Sequence, residues 1–140
     1  MNNKSRIMGV WKKSVSVIAY TKSISIQRYN KDQNEWNEIF FCLSLNDFED
    51  LIEMINDASD KIELKTEPNP IKGVWNKNVS VVQRSKAITI ERFNKLKNKW
   101  EEVIFFLTLK DLDNFVDVLD NSFERLEEEG WSPKEHETVN

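Results

Sequence analysis

The chain has 140 residues, 31% of them charged, with a formal net charge of −4, one cysteine and one histidine. Cys42 cannot close an internal disulfide, three glycines leave no glycine-rich phosphate loop, and there is no cysteine or histidine cluster to hold zinc, so the expectation is a protein that is not an enzyme and carries no cofactor or metal. No apolar run reaches the roughly 20 residues of a membrane span, and the first ten residues lack the apolar segment of a signal peptide; the expected setting is intracellular, in cytoplasm, nucleoid or nucleus, with no membrane partner.

In chain order, Val15 and Val17, then Ile24 and Ile26, then Ile39, Phe41, Leu43 and Leu45 alternate with other residues at period two, the pattern of strands with one face on a core. The segment Gly9-Val10-Trp11 ahead of them adds a further strand. After Leu45 the period changes, and Phe48, Leu51, Ile52, Ile55 and Ile62 fall on one face of a helix. Ser44 with Asp47 has the spacing of a capping box at its start. Pro68 and Pro70 then interrupt any helix, which marks residues 64–72 as a short, stiff linker. Residues 73–129 repeat the scheme: Thr108 and Asp111 start a second helix whose apolar face is Leu112, Phe115, Val116, Leu119 and Leu126. Gly130 stops it, and residues 130–140 read as a flexible tail.

The second half is a copy of the first. At an offset of 64, residues 9–62 align without a gap on residues 73–126. The period exceeds the roughly 20 to 50 residues of solenoid repeats, so each copy reads as a small domain, and a unit of about 65 residues is marginal alone. The expected fold is therefore α+β: two tandem β-β-β-β-α modules, residues 1–63 and 73–129. Each antiparallel sheet is covered by one helix, and the modules dock as an intramolecular pseudo-two-fold dimer.

The modest net charge conceals a segregation. Residues 1–45 and 73–109 each sum to +4, whereas residues 46–63 and 110–129 each sum to −6. Strands are basic and helices acidic, in both copies, which suits a polyanion approaching the sheets. Period two also places Tyr20, Tyr29, Trp36 and Phe40, with Phe93, Trp100 and Phe106 of the second copy, on the sheet faces away from the helices. These rings share that side with Lys22, Lys31, Lys86, Lys95, Lys97 and Lys99. Rings that stack on unpaired bases among cations that follow phosphates are how single strands are gripped. Phe40, Ile18, Phe106, Val82 and Ile104 could instead form an interface between the copies, while Trp36 and Trp100 are the better candidates for ligand contact. Trp11 and Trp75 read as packing residues. Arg28 and Arg92 have core-side parity near strand ends, where a helix carboxylate competes with phosphate as partner.

The segments VSVIAYTKSISIQRY and VSVVQRSKAITIERF, with LSLNDFEDLIEMINDASDKI and LTLKDLDNFVDVLDNSFERL after them, resemble the family of the transcriptional coactivator positive cofactor four and its relatives that bind single-stranded DNA. The resemblance covers nearly all of each copy. It implies a dimerising β4-α module that binds single-stranded nucleic acid across its strands. Carried over by alignment, the family's aromatic falls on Tyr20 and on Arg84, and its hairpin lysines on Lys22 and Lys86. The turn is one residue shorter here, and the arginine of the next strand, Arg28 or Arg92, is displaced by one place, which in a strand changes the face. With Lys12, Lys13 and Lys77 before the strands, the expected contact set for single-stranded DNA is Lys12, Lys13, Tyr20, Lys22, Arg28, Tyr29, Lys31, Trp36, Lys77, Arg84, Lys86, Arg92, Phe93, Lys95, Lys97, Lys99 and Trp100. RNA is the alternative ligand. The hairpin residues 31–35 net −1 and residues 95–99 net +3, so the second copy is expected to carry more of the phosphate contact.

The competing reading is a protein-interaction module or transcription cofactor, in which acidic helices or outer aromatics dock a protein of the transcription or replication machinery. A further expectation concerns Glu127, Glu128, Glu129 and Trp131, which could fold over the basic sheet and compete with nucleic acid.

Overall fold

A computed structural model describes residues 5–8, 15–63, 70–72, 78–83 and 87–132. The first copy forms β1 (Ser5–Met8), β2 (Val15–Ala19), β3 (Ile24–Asn30), β4 (Glu35–Cys42) and α1 (Leu45–Glu63). The second forms β5 (Pro70–Lys72), β6 (Val79–Gln83), β7 (Ile88–Asn94), β8 (Lys99–Phe106) and α2 (Leu109–Glu128). The body of each sheet is an antiparallel run of three strands, β2-β3-β4 and β6-β7-β8, and each sheet is followed by a helix. The short segments β1 and β5 lie along the outer edges of β2 and β6. The last three residues of the expected linker thus belong to β5, with Pro70 as its first residue, where a missing N–H is tolerated on an edge. Residues 64–69, and Trp11 and Trp75 with the strand expected around them, lie outside the described residues. No helix among the described residues is long and apolar enough to cross a membrane.

The turns joining β3 to β4 and β7 to β8 are built alike. Asn34 and Asn98 both have φ of 55°, a left-handed conformation that asparagine tolerates better than most residues. Four residues earlier, Asn30 Oδ1 accepts from the Gln33 N–H at 3.2 Å, and Asn94 Oδ1 accepts from Leu96 N–H at 3.0 Å and Lys97 N–H at 3.2 Å. These side chains replace the backbone partners that a four-residue loop leaves unmet.

Ile26 pairs with Phe40, but Gln27 pairs with Glu38, which leaves Ile39 as one extra residue on β4. The same bulge recurs where Ile90 pairs with Ile104 and Glu91 with Glu102, leaving Val103 extra. An added residue reverses the side on which every later side chain projects. The expected alternation through Phe41 and Leu43 is therefore overturned. Phe40 and Cys42 join Ile24 and Ile26 in the core, while Phe41 is 49% and Leu43 59% exposed. Phe106 and Ile104 are buried likewise, and Phe105 and Leu107 are exposed. Phe40 and Phe106, expected on the outer face, are core residues for this reason.

Both helices bury the faces the spacing predicts. Phe48, Leu51, Ile52, Ile55 and Ile62 of α1 are buried, as are Leu112, Phe115, Val116, Leu119 and Leu126 of α2. The Asp47 N–H donates to Ser44 Oγ at 3.1 Å and the Asp111 N–H to Thr108 Oγ1 at 3.1 Å, satisfying donors that a helix start leaves open. The chain divides into two compact units, residues 1–49 with 117–140, and residues 50–116. Both boundaries fall inside helices. The first unit thus holds β1 to β4, the first turn of α1 and the far half of α2; the second holds the far half of α1, β5 to β8 and the first half of α2. In the first, Phe48 meets Phe123 edge-on at 6.1 Å; in the second, Phe106 packs on Phe115 at 5.3 Å and Ser59 Oγ donates to Asp113 at 2.7 Å. By this division the far half of each helix groups with the sheet of the other copy.

Two measurements test this arrangement. Phe40→Ala should lower unfolding free energy by about 3 to 5 kcal/mol in a denaturant titration, as for buried phenylalanines generally, and Phe41→Ala by less than about 1 kcal/mol. Equal losses would mean that the bulge does not set the phase of β4. Burial pushes the Cys42 thiol up to about 12 from 9.0, with the charges of Asp47 and Glu38 acting in the same direction. The folded protein therefore keeps the thiol protonated after the unfolded chain begins to ionise it, which favours the unfolded chain, so stability falls as pH rises from about 9 towards 12. The stability of Cys42→Ala should fall less steeply over that window.

Candidate nucleic-acid interface

Residues directly opposite one another in a sheet share a face, so the registers decide which expected contacts stand together. In the first sheet Ser16, Gln27 and Glu38 form one row across β2, β3 and β4, and Ile18, Ser25 and Phe41 form another on the same side. Tyr29 and Trp36 are cross-strand partners on that side as well, next to the hairpin. Their rings meet edge-on, with centroids 5.3 Å apart and planes at 61°. The second sheet repeats the pair as Phe93 and Trp100, at 5.4 Å and 63°. An edge-on pair does not cover both ring faces as a stack would, so it keeps aromatic surface at the hairpin end. Trp100 is 39% exposed. The Tyr29 hydroxyl donates to Asn34 Oδ1, which ties the first pair to the left-handed turn residue.

The lysines gather at these hairpins. Lys31 is exposed in the first, and Lys95, Lys97 and Lys99 are exposed in the second, with Leu96 at its tip almost wholly in solvent. Lys97 lies 3.7 Å from Glu101, which also accepts from Asn94 Nδ2 at 3.1 Å. The Asn94 hydrogen bond, aided by the charges of Lys97 and Lys99, holds the Glu101 carboxyl below its ordinary range against the opposing effect of burial. Glu101 thus stays ionised and offsets part of the +3 of this turn.

Tyr20 and Lys22 occupy a second place. The Tyr20 N–H donates to the Ser23 carbonyl at 2.8 Å, closing the turn between β2 and β3, and Lys22 is exposed within it. β3 separates this turn from the hairpin of Tyr29, Lys31 and Trp36 by seven residues, roughly 20 Å of strand. Arg28 lies opposite Val15 and Asn37, and Arg92 opposite Val79 and Glu101, on the core side of their sheets and not beside the aromatic pairs. Lys12, Lys13, Lys77, Arg84 and Lys86 lie outside the described residues.

The sheet between the two turns is not basic. β2 is buried along its whole length, and Ser25 and Thr89 are buried too, so the open part of the outer face is the hairpin end of β3 and β4 and its counterpart. Phe41 and Phe105, opposite Ser25 and Thr89, are also open on this face; between them and the aromatic pairs the first sheet presents Glu38, which accepts from Ser25 Oγ at 2.6 Å, and the second presents Glu91 opposite Glu102. Among the described residues the exposed lysines of the sheet-bearing segments, Lys22, Lys31, Lys95, Lys97 and Lys99, lie in the turns or at their edges, although the first hairpin as a whole nets −1.

Two features escaped sequence reasoning: the bulge, and the exposed Phe41–Leu43 and Phe105–Leu107 pairs that follow from it. Trp131, expected to fold back with the acidic run, donates from Nε1 to the Tyr20 carbonyl at 2.8 Å, at the turn between β2 and β3. A trace of the bulge is visible in retrospect, because the unbroken apolar runs Ile39–Cys42 and Val103–Leu107 cannot keep strict alternation. Comparisons of the chain with protein-family models, with curated proteins and with solved structures find no significant match to any of them.

Proposed function

We propose that the protein binds single-stranded nucleic acid, DNA in preference to RNA, without catalysing a reaction, and that its two β4-α modules act as an intramolecular pseudo-two-fold pair. The observation that carries this is the repetition of one arrangement in both units: an edge-on aromatic pair, Tyr29–Trp36 or Phe93–Trp100, at the foot of a lysine-bearing hairpin. Bases freed from a duplex stack on such rings while the lysines follow the phosphates, whereas a duplex keeps its base faces hidden. The resemblance to the positive cofactor four family points the same way. The pairing of modules is supported by the order of contacts along the helices, since Phe48 near the start of α1 meets Phe123 late in α2, and Ser59 late in α1 meets Asp113 near the start of α2. That is the order of an antiparallel, two-fold-like pair. Transcription or DNA maintenance is the process such a binder serves.

A second reading is favoured by the exposed pairs Phe41–Leu43 and Phe105–Leu107, which end the edge strands β4 and β8 with apolar side chains in both copies. Such residues suit docking of a protein of the transcription or replication machinery.

A titration of labelled single-stranded oligonucleotide and its duplex at two salt concentrations, with tryptophan emission followed, separates the readings. Salt-sensitive binding that favours the single strand and quenches tryptophan is expected. Absence of binding to either form at low salt would leave the protein-docking reading. Replacing Lys95, Lys97 and Lys99 together by alanine should flatten the plot of log affinity against log salt by up to about two units, taking roughly 0.7 per phosphate contact. An unchanged slope would mean that the second hairpin does not meet the phosphates.

A further inference from the structure

The end of α2 is shaped by three backbone hydrogen bonds and one glycine. Gly130 has φ of +73°, its N–H donates to the Glu127 carbonyl at 3.1 Å, and the Trp131 N–H donates to the Leu126 carbonyl at 3.0 Å. This is the paired pattern of a Schellman cap, which reverses the chain where the helix ends. Reversal delivers the Trp131 indole to the turn between β2 and β3, where Nε1–H donates to the Tyr20 carbonyl at 2.8 Å. The contact lies within the first compact unit, to which both the first sheet and the far half of α2 belong.

The helix end that this bond holds is strongly negative. Glu127, Glu128 and Glu129 are all exposed, and Glu129 reaches Arg125 at 3.5 Å. Acidic residues in a last turn add to the negative end of the helix dipole, so helix stability does not account for them. They directly precede Gly130 and Trp131 at the helix end, and Lys22 follows Tyr20 by two residues. The hydrogen bond from Trp131 thus tethers the acidic helix end to the turn that carries Tyr20 and Lys22, and charges act on an approaching phosphate over roughly 8 Å at physiological salt.

We propose that the Gly130–Trp131 cap is an autoinhibitory latch that pins the acidic end of α2 beside the Tyr20–Ser23 turn and repels nucleic acid from this part of the first copy. The inference rests on the single-strand reading given above. It also makes the two copies unequal, because the residues aligned with Gly130 and Trp131 in the first repeat are Thr66 and Glu67, which provide neither the left-handed glycine nor an indole donor. A single strand is thereby directed to the hairpin of Lys95, Lys97 and Lys99 first, and engages Tyr20 and Lys22 only when the latch opens.

The test uses the full chain with a labelled oligo-dT single strand at low salt. Trp131→Phe keeps a ring and removes the donor. The triple variant E127Q/E128Q/E129Q keeps the cap and removes the charge, on exposed positions whose replacement leaves the core untouched. Both variants should bind more tightly than the natural chain, the triple variant by about tenfold, with the gain shrinking as salt is raised. Binding by the natural chain with unchanged or weaker binding by the triple variant would overturn the latch and leave the single-strand reading in place. Failure of the natural chain and both variants to bind would overturn both.

Discussion

The extra residue in β4 and in β8 is the constraint on which core and surface both depend. Up to Glu38 the side chains of β4 continue the face that carries Trp36, and past Ile39 they change sides, so that Phe40 and Cys42 meet Ile26 and Ile24. Without the bulge a strand with Trp36 outward would turn Phe40 outward as well, and two large buried rings, Phe40 and Phe106, would be lost from the interior. The added residue lets one short strand serve an aromatic surface at its hairpin end and a packed core at its helix end. It also releases Phe41 and Leu43 into solvent, a cost repeated at Phe105 and Leu107.

Division of labour along the strands has a chemical consequence. The hairpin ends hold rings and lysines, the sheet between the turns holds hydroxyls, an amide and carboxylates, and the helix starts hold the acidic residues expected at a positive dipole end. On the proposed single-strand reading, a polyanion crossing such a surface would be held at the turns and not between them. Specific contact is then a matter of stacking at two separated places, about one strand length apart. Identical placement in two copies makes the pattern harder to attribute to chance solubility choices than it would be in one.

Along the helices the two compact units exchange halves: each holds one sheet and residues of both helices. Each compact unit needs a piece of both repeats, and the apolar faces of α1 and α2 are continuous across the unit boundary. A 65-residue module with one helix buries little on its own. The same exchange carries the end of α2 to the first sheet and so decides what Trp131 can touch.

Much of this was legible from local signals. The duplication, the strand and helix order, the buried helix faces from Phe48 to Ile62 and from Leu112 to Leu126, the caps at Ser44 and Thr108, and Gly130 as the helix stop each depend on residues within a turn or two of one another, and local energetics decide them. Parity likewise placed Tyr29 with Trp36 and Phe93 with Trp100, because the strand pairs run unbroken from the hairpin to the bulge. Only the tertiary structure decided the phase of β4 beyond Ile39, since a bulge is set by which residues the neighbouring strand presents. Only it decided which unit each helix half completes and where the Trp131 indole ends, because those partners lie 54 to 111 positions away and a periodicity carries no record of them.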